Sequence, residues 1–103
     1  MEPNFKAPKM TAAEKAAARR HMRLVKELNC VICNRSGPSD AHHCFHGRYS
    51  TAKATDWQVI PLCRECHLTG PAAIHKQKAT WAEHNGPDTD YLLIVQEQLE
   101  EMR

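Results

Sequence analysis

The chain has little material for a large hydrophobic core. Of 103 residues, 6% are aromatic and four are glycine. A chain this short buries a modest fraction of its surface and often needs a metal or disulfides to hold it. No run of 18 apolar residues occurs, so no membrane span is expected. Residues 1–10 are polar and broken by Pro3 and Pro8, without the apolar block of a secretory leader. The expected compartment is a reducing cytoplasm. Net charge is small, at +2. It is unevenly distributed, with ten Lys/Arg against four Asp/Glu in residues 1–53 and four against eight in residues 54–103. The basic half could face a polyanion or simply be a solvated helix face.

What the chain has instead is cysteine and histidine, five and seven. In a reducing compartment five cysteines read as metal ligands or free thiols rather than disulfides. Two Cys-x-x-Cys pairs, Cys30/Cys33 and Cys63/Cys66, stand on either side of residues 34–62. Each pair lets two thiolates converge from a tight turn, and two pairs complete a tetrahedron around one ion. A closed four-sulfur set favours zinc over a redox pair or an iron–sulfur cluster. Cys44, the odd one, reads as a small buried hydrophobe.

Residues 1–10 read as a flexible arm and residues 11–103 as one small, zinc-stabilised α+β domain. Thr11-Ala12-Ala13-Glu14 fits a capping box, opening a helix to about Leu28 with Ala17, His21, Leu24 and Leu28 on its apolar side, flanked by Met22 and Val25. Residues 41–45 are a strand candidate. Trp57–Ile60 is a second, ending at Pro61, and both tryptophans, Trp57 and Trp81, read as core rather than as base-stacking platforms. Cys63–His67 is expected to open a helix. Gly70-Pro71 interrupts it, and Pro71 suits the first turn of another helix over residues 72–84. Asn85-Gly86-Pro87 stops that one. Asp88 or Thr89 can cap a last helix with Leu92, Val95, Leu99 and Met102 on one stripe.

His42 and His43 are adjacent, His67 follows the last cysteine, and His75 lies eight residues on. Neighbours on a strand point to opposite faces, so His42 and His43 cannot both bind one ion. A division of labour follows, one histidine to metal and the other to water.

Ala41-His42-His43, Asp56 through His67 with its Cys63-Arg64-Glu65-Cys66, and Ile74-His75 together resemble the HNH nuclease motif in its zinc-stabilised form, over residues 29–76. The run from His21-Met22-Arg23-Leu24-Val25-Lys26 through Cys30, Cys33 and Gly37-Pro38-Ser39 to the histidine pair is similar to the phage recombination-enhancement nucleases of the Ref type, which act on RecA-bound DNA. The resemblance implies a ββα-metal core with an N-terminal helix and C-terminal helices. It implies His43 as general base, and His42, His67 and His75 as ligands of a catalytic divalent cation (Mg²⁺, Mn²⁺ or Zn²⁺). Gln58 stands where the family has its loop-bracing Asn, and Asp56 is an alternative. The His67–His75 spacing is longer than the family's, which makes His46 an alternative third ligand. His21 and His84 read as structural.

Lys15, Arg19, Arg20, Arg23 and Lys26 on the first helix, with Arg48 and Lys53 after the histidine pair, could contact phosphates. Such contacts position DNA without reading its sequence. The expected activity is metal-dependent DNA cleavage, phage-encoded and cytoplasmic in the host, on DNA or a RecA–DNA filament. The rival expectation is a non-catalytic zinc module that docks on nucleic acid or protein.

Overall fold

The computed structural model describes residues 11–45 and 55–102. The arm at residues 1–10, His46, Arg48 and Lys53 lie outside them. Helix α1 spans Ala12–Lys26. Its capping box is formed: Thr11 N donates to Glu14 Oε1 at 2.8 Å, and Glu14 N donates to Thr11 Oγ1 at 3.1 Å. The buried face differs from the expected one. Ala18 and Val25 are buried and Met22 is half-buried, whereas Ala17 is exposed. The face is broader than the expected stripe: i, i+4, i+7 from Ala18 places Val25 in the core, while Leu24 and Leu28 pack against it half-buried.

The helix stops two residues before Leu28 because a turn claims its last carbonyls. Ser39 N donates to Lys26 O, and Ser39 Oγ donates to Leu28 O, both at 2.7 Å. Gly37 passes so close that a Cβ there would sit 3.1–3.2 Å from the carbonyl oxygens of Lys26, Glu27 and Leu28. The helix end is thus sealed by the same turn that delivers the chain to strand β1, Asp40–His43.

Strand β2 is Val59–Leu62, antiparallel to β1, with His42 opposite Ile60 and His43 opposite Val59. It starts later than expected and runs through Pro61 rather than ending there. Proline is tolerated because the sheet has two strands and Pro61 needs no N–H toward β1. Its carbonyl points away from β1 and accepts from Val31 N at 3.0 Å, which ties the first cysteine turn to the sheet. All four β2 residues are buried, as expected of a strand covered on both faces.

A five-residue π-helical turn, Glu65–Thr69, follows. The helix expected over residues 72–84 is shorter: α2 spans Lys78–Asn85. Residues 71–77 turn back instead, because Ile74 N and His75 N donate to Cys66 O and His67 O at 3.0 and 3.3 Å. Gly86, at φ 79°, ends α2 in a conformation that favours glycine. A 3₁₀ turn, Asp88–Tyr91, leads into α3, Leu92–Glu101.

Asp88 does not cap α3; it is 2% exposed and turned inward. Val95 and Leu99 are buried, while Met102 at the end of the stripe is exposed. The core gathers Val25, Val59, Ile60, Leu62, Ile74, Trp81, Val95 and Leu99, with Cys30, Cys44 and Cys63. Trp81 belongs to it at 4% exposure, but Trp57 does not, at 48%. The result is a small mixed α+β fold around a two-stranded sheet. Among the described residues no helix is long and apolar enough to cross a membrane.

Candidate metal centre

The first cysteine turn is closed by its own backbone. Cys30 N donates to Arg35 O and Asn34 N to Cys30 O, each at 2.9 Å. Asn34 adopts φ 63°, the left-handed conformation that asparagine tolerates. In the second turn, Cys66 N donates to Cys63 Sγ at 3.4 Å and His67 N to Cys63 O at 2.9 Å. These turns bring the four sulfurs within 4.8 Å of one another. Cys33 Sγ and Cys63 Sγ are 3.6 Å apart. A tetrahedron with Zn–S of about 2.3 Å has edges of about 3.8 Å, so the four thiols can hold a zinc ion. Cys44 stays outside, buried in the core beyond β1.

The thiols are not equally ready to ionise. Burial works against the Cys30 thiolate, yet the backbone N–H groups of Cys33, Cys63 and Ile32 bring it down to about 7. Burial and the adjacent Cys63 sulfur push Cys66 well above the ordinary thiol range. For Cys33 the Arg35 N–H favours the thiolate, but burial and the Cys63 and Cys30 sulfurs outweigh it and raise the thiol. Like charges this close resist joint ionisation, and a divalent cation removes the conflict.

A second cluster lies beyond Cys66. One ring nitrogen from each of His42, His67 and His75 falls within a 4.8 Å set. His42 comes from β1, His67 from the π-helical turn, and His75 from the fold-back after Gly70-Pro71. The two backbone bonds from residues 74 and 75 to 66 and 67 absorb the extra spacing between His67 and His75. Gly70 is required for that path: a Cβ there would lie 2.7 Å from Glu65 O.

Two of these rings are oriented by carboxylates. His67 Nδ1 lies 2.9 Å from Asp40 Oδ2, and His42 Nε2 lies 3.1 Å from Asp88 Oδ2. A carboxylate accepts, so those nitrogens carry the protons and the opposite nitrogens keep lone pairs. That is how histidine ligands of a metal are usually braced. Arg64 Nε in turn holds Asp40 at 3.0 Å, and Asp88 Oδ2 also accepts from Phe45 N at 2.8 Å. Burial opposes the Asp40 carboxylate, but His67 and Arg64 keep it below the usual range. His67 Nε2 and His75 Nε2 are 3.1 Å apart. Two lone pairs at that distance repel, and one cation or one shared proton relieves them. Nitrogens at about 2.0–2.1 Å from a common ion are about 3.0–3.4 Å apart, so the pair fits. The site opens outward, from His42 at 1% exposure to the exposed His75.

His43 stands apart from this cluster, as strand alternation requires. Its Nε2 lies 2.9 Å from Asp56 Oδ1, with both side chains partly exposed. Gln58 lies elsewhere in the same turn: its Oε1 accepts from Thr55 N at 3.3 Å and its carbonyl accepts from Cys44 N at 2.9 Å. Lys15, Arg19, Arg20, Arg23 and Lys26 are all exposed on α1.

The family described as "Protein of unknown function (DUF968)" matches residues 2–100. The chain belongs to this family. No curated protein and no solved structure matches it. The features that position the histidines in this DUF968 protein were only partly visible beforehand. Asp40 had a signal, since it stands two before His42 on one strand and so shares its face. Asp88 had none, 46 residues from its partner and dressed as a helix cap.

Proposed function

We propose that this protein is a metal-dependent DNA endonuclease of the HNH type that hydrolyses phosphodiester bonds. The observation that carries the reading is the three-histidine cluster braced by carboxylates, directly joined to the four-cysteine cluster through Cys66-His67, with His43, next to His42 on β1, paired separately to Asp56. In this reading the cysteines bind structural zinc and fix the base of the site. His42, His67 and His75 hold a second divalent ion. When bound, that ion supplies Lewis-acid stabilisation of charge on the phosphate and the leaving oxygen. Asp56 accepts from His43 Nε2–H and fixes the tautomer whose Nδ1 bears the lone pair. His43 Nδ1 then takes the proton of the attacking water, and no side-chain nucleophile is needed. Asp56, rather than Gln58, braces the base. Exposed Arg19, Arg20, Arg23 and Lys26 contribute sequence-independent phosphate contacts. The Ref-type likeness extends the proposal to RecA-coated DNA and to a phage protein acting in the host cytoplasm.

Gln58 favours a second reading, a zinc module that docks without cutting, because it stands where HNH nucleases have their bracing Asn and bonds Thr55 N and Cys44 N rather than His43. Supercoiled plasmid, bare or coated with RecA, separates the two. Nicking in Mg²⁺ or Mn²⁺ is expected from the first; no nicking of any form leaves the second.

The histidine site also carries a pH signature. Burial, followed for His75 by the neighbouring His67 and His42, lowers the pKa of both His67 and His75; at His67 burial outweighs the opposing pull of Asp40. Protonation competes with ligation, so a lowered pKa keeps the rings competent to a lower pH. Uptake of an ion beyond the first zinc should be full at neutral pH. It should decline only below the ordinary imidazole range of about 6.5. Equilibrium dialysis with elemental analysis across pH 4–8 measures it, and loss already above about 6.5 would contradict the assignment.

A further inference from the structure

Trp57 is the residue whose surroundings depart most from the sequence reading. It is 48% exposed, so one face of a large aromatic ring is open to solvent. Its ring packs against His21 with centroids 4.8 Å apart and planes at 44°. A cleft of about 510 Å³ lies on its α1 side, with Arg20, His21 and Leu24 in the wall. A second, of about 350 Å³, lies on its α3 side and reaches Val59. Val59 is the cross-strand partner of His43, and partners share one face of the sheet. Asp56, which holds His43, is the residue before Trp57. The indole therefore follows the residue that holds the proposed base, and lines a groove that reaches the cross-strand partner of His43.

The groove has a cationic approach. Arg20 and Leu24 also line a neighbouring hollow together with Arg23 and Lys26. Glu27 and Glu100 bound the two ends. Three cations in a row leading to an exposed aromatic ring is the arrangement used for single-stranded nucleic acid. The cations follow the phosphates and the ring stacks an unpaired base. Paired bases in a duplex do not present their faces to such a ring.

We infer that Trp57, backed by His21, is a stacking platform for an unpaired base of single-stranded DNA, and that Arg20, Arg23 and Lys26 carry the strand to it. The inference deepens the nuclease reading by naming a substrate with unpaired bases beside the cut, and it rests on that reading for its purpose.

The test is binding rather than cleavage, using the full zinc-loaded chain, no added Mg²⁺ or Mn²⁺, and fluorescein-labelled oligo(dT) against a duplex of equal length. In the wild type, oligo(dT) should quench the exposed Trp57, while buried Trp81 retains its emission. Trp57→Ala should weaken oligo(dT) binding by about 5- to 150-fold and leave duplex binding unchanged. Trp57→Phe, which keeps a ring, should retain most of the affinity. Arg20→Ala should weaken both ligands and flatten the salt dependence. Unchanged oligo(dT) affinity in Trp57→Ala, an equal loss for strand and duplex, or absence of quenching in the wild type overturns the platform. A chain that binds oligo(dT) through Trp57 yet never nicks DNA overturns the nuclease reading alone.

Discussion

Stripping zinc from the four cysteines is expected to abolish the cooperative thermal transition of this protein. The expectation follows from the size of the opposing terms. Structural zinc contributes an apparent ~10–16 kcal/mol in small peptides, while the net stability of a typical domain is about 5–15 kcal/mol. Here the metal-binding turns are not peripheral. The first is anchored to β2 by Val31 N to Pro61 O, and Cys30 and Cys63 are themselves part of the buried core. Without the ion, burial and crowding hold Cys33 and Cys66 as thiols, and the Val31–Pro61 hydrogen bond and a small core are left to hold the two turns together. Cys63→Ser should behave like the stripped protein, with zinc content near zero and a broad, shallow melt by circular dichroism. Cys44→Ala is the control: it removes a buried sulfur outside the cluster, so it should keep its zinc and lose only about 1–2 kcal/mol. A zinc-free chain that still melts sharply, at a temperature close to the loaded protein's, would show that the apolar core suffices.

Replacing His43 by alanine should lower plasmid nicking by about 10²- to 10⁴-fold, the usual contribution of a general base. The same variant should keep its zinc, its second-ion uptake and its melting temperature. His43 and Asp56 are partly exposed, and an exposed pair of this kind adds about 0–1 kcal/mol to stability. Asp56→Asn should fall between wild type and His43→Ala, because the asparagine can offer His43 an amide proton and stabilise the wrong tautomer. Replacing His67 by alanine should instead remove the second ion and the activity together. Equal nicking by wild type and His43→Ala, with zinc content unchanged, would take His43 out of the mechanism.

The local elements were legible where short-range chemistry decides them. The Thr11–Glu14 capping box, the two cysteine turns and the stop at Gly86 all depend on residues three or four apart. The misjudged features share a cause in long-range competition. Residues 71–77 have helical sequence character, but their N–H groups bond to Cys66 and His67 instead. Pro61 would end a strand in a wider sheet, but here one of its edges faces the first cysteine turn. Asp88 looks like a cap until His42 and Phe45 N are seen to need its carboxylate. Trp57 reads as core by hydrophobicity, yet the core is already closed by Val59, Val95 and Leu99.

The sequence by itself determined which atoms are available to the two clusters: four thiols in two tight turns, and histidines whose adjacency on a strand separates one from the other. Only the tertiary structure decided how they are used. It folded His75 back onto His67 across eight residues and set Asp40 and Asp88 behind the rings. It also left Trp57 outside, packed against His21. Each of those choices is made by contacts between segments distant in sequence, where burial and hydrogen-bond satisfaction outweigh local preference.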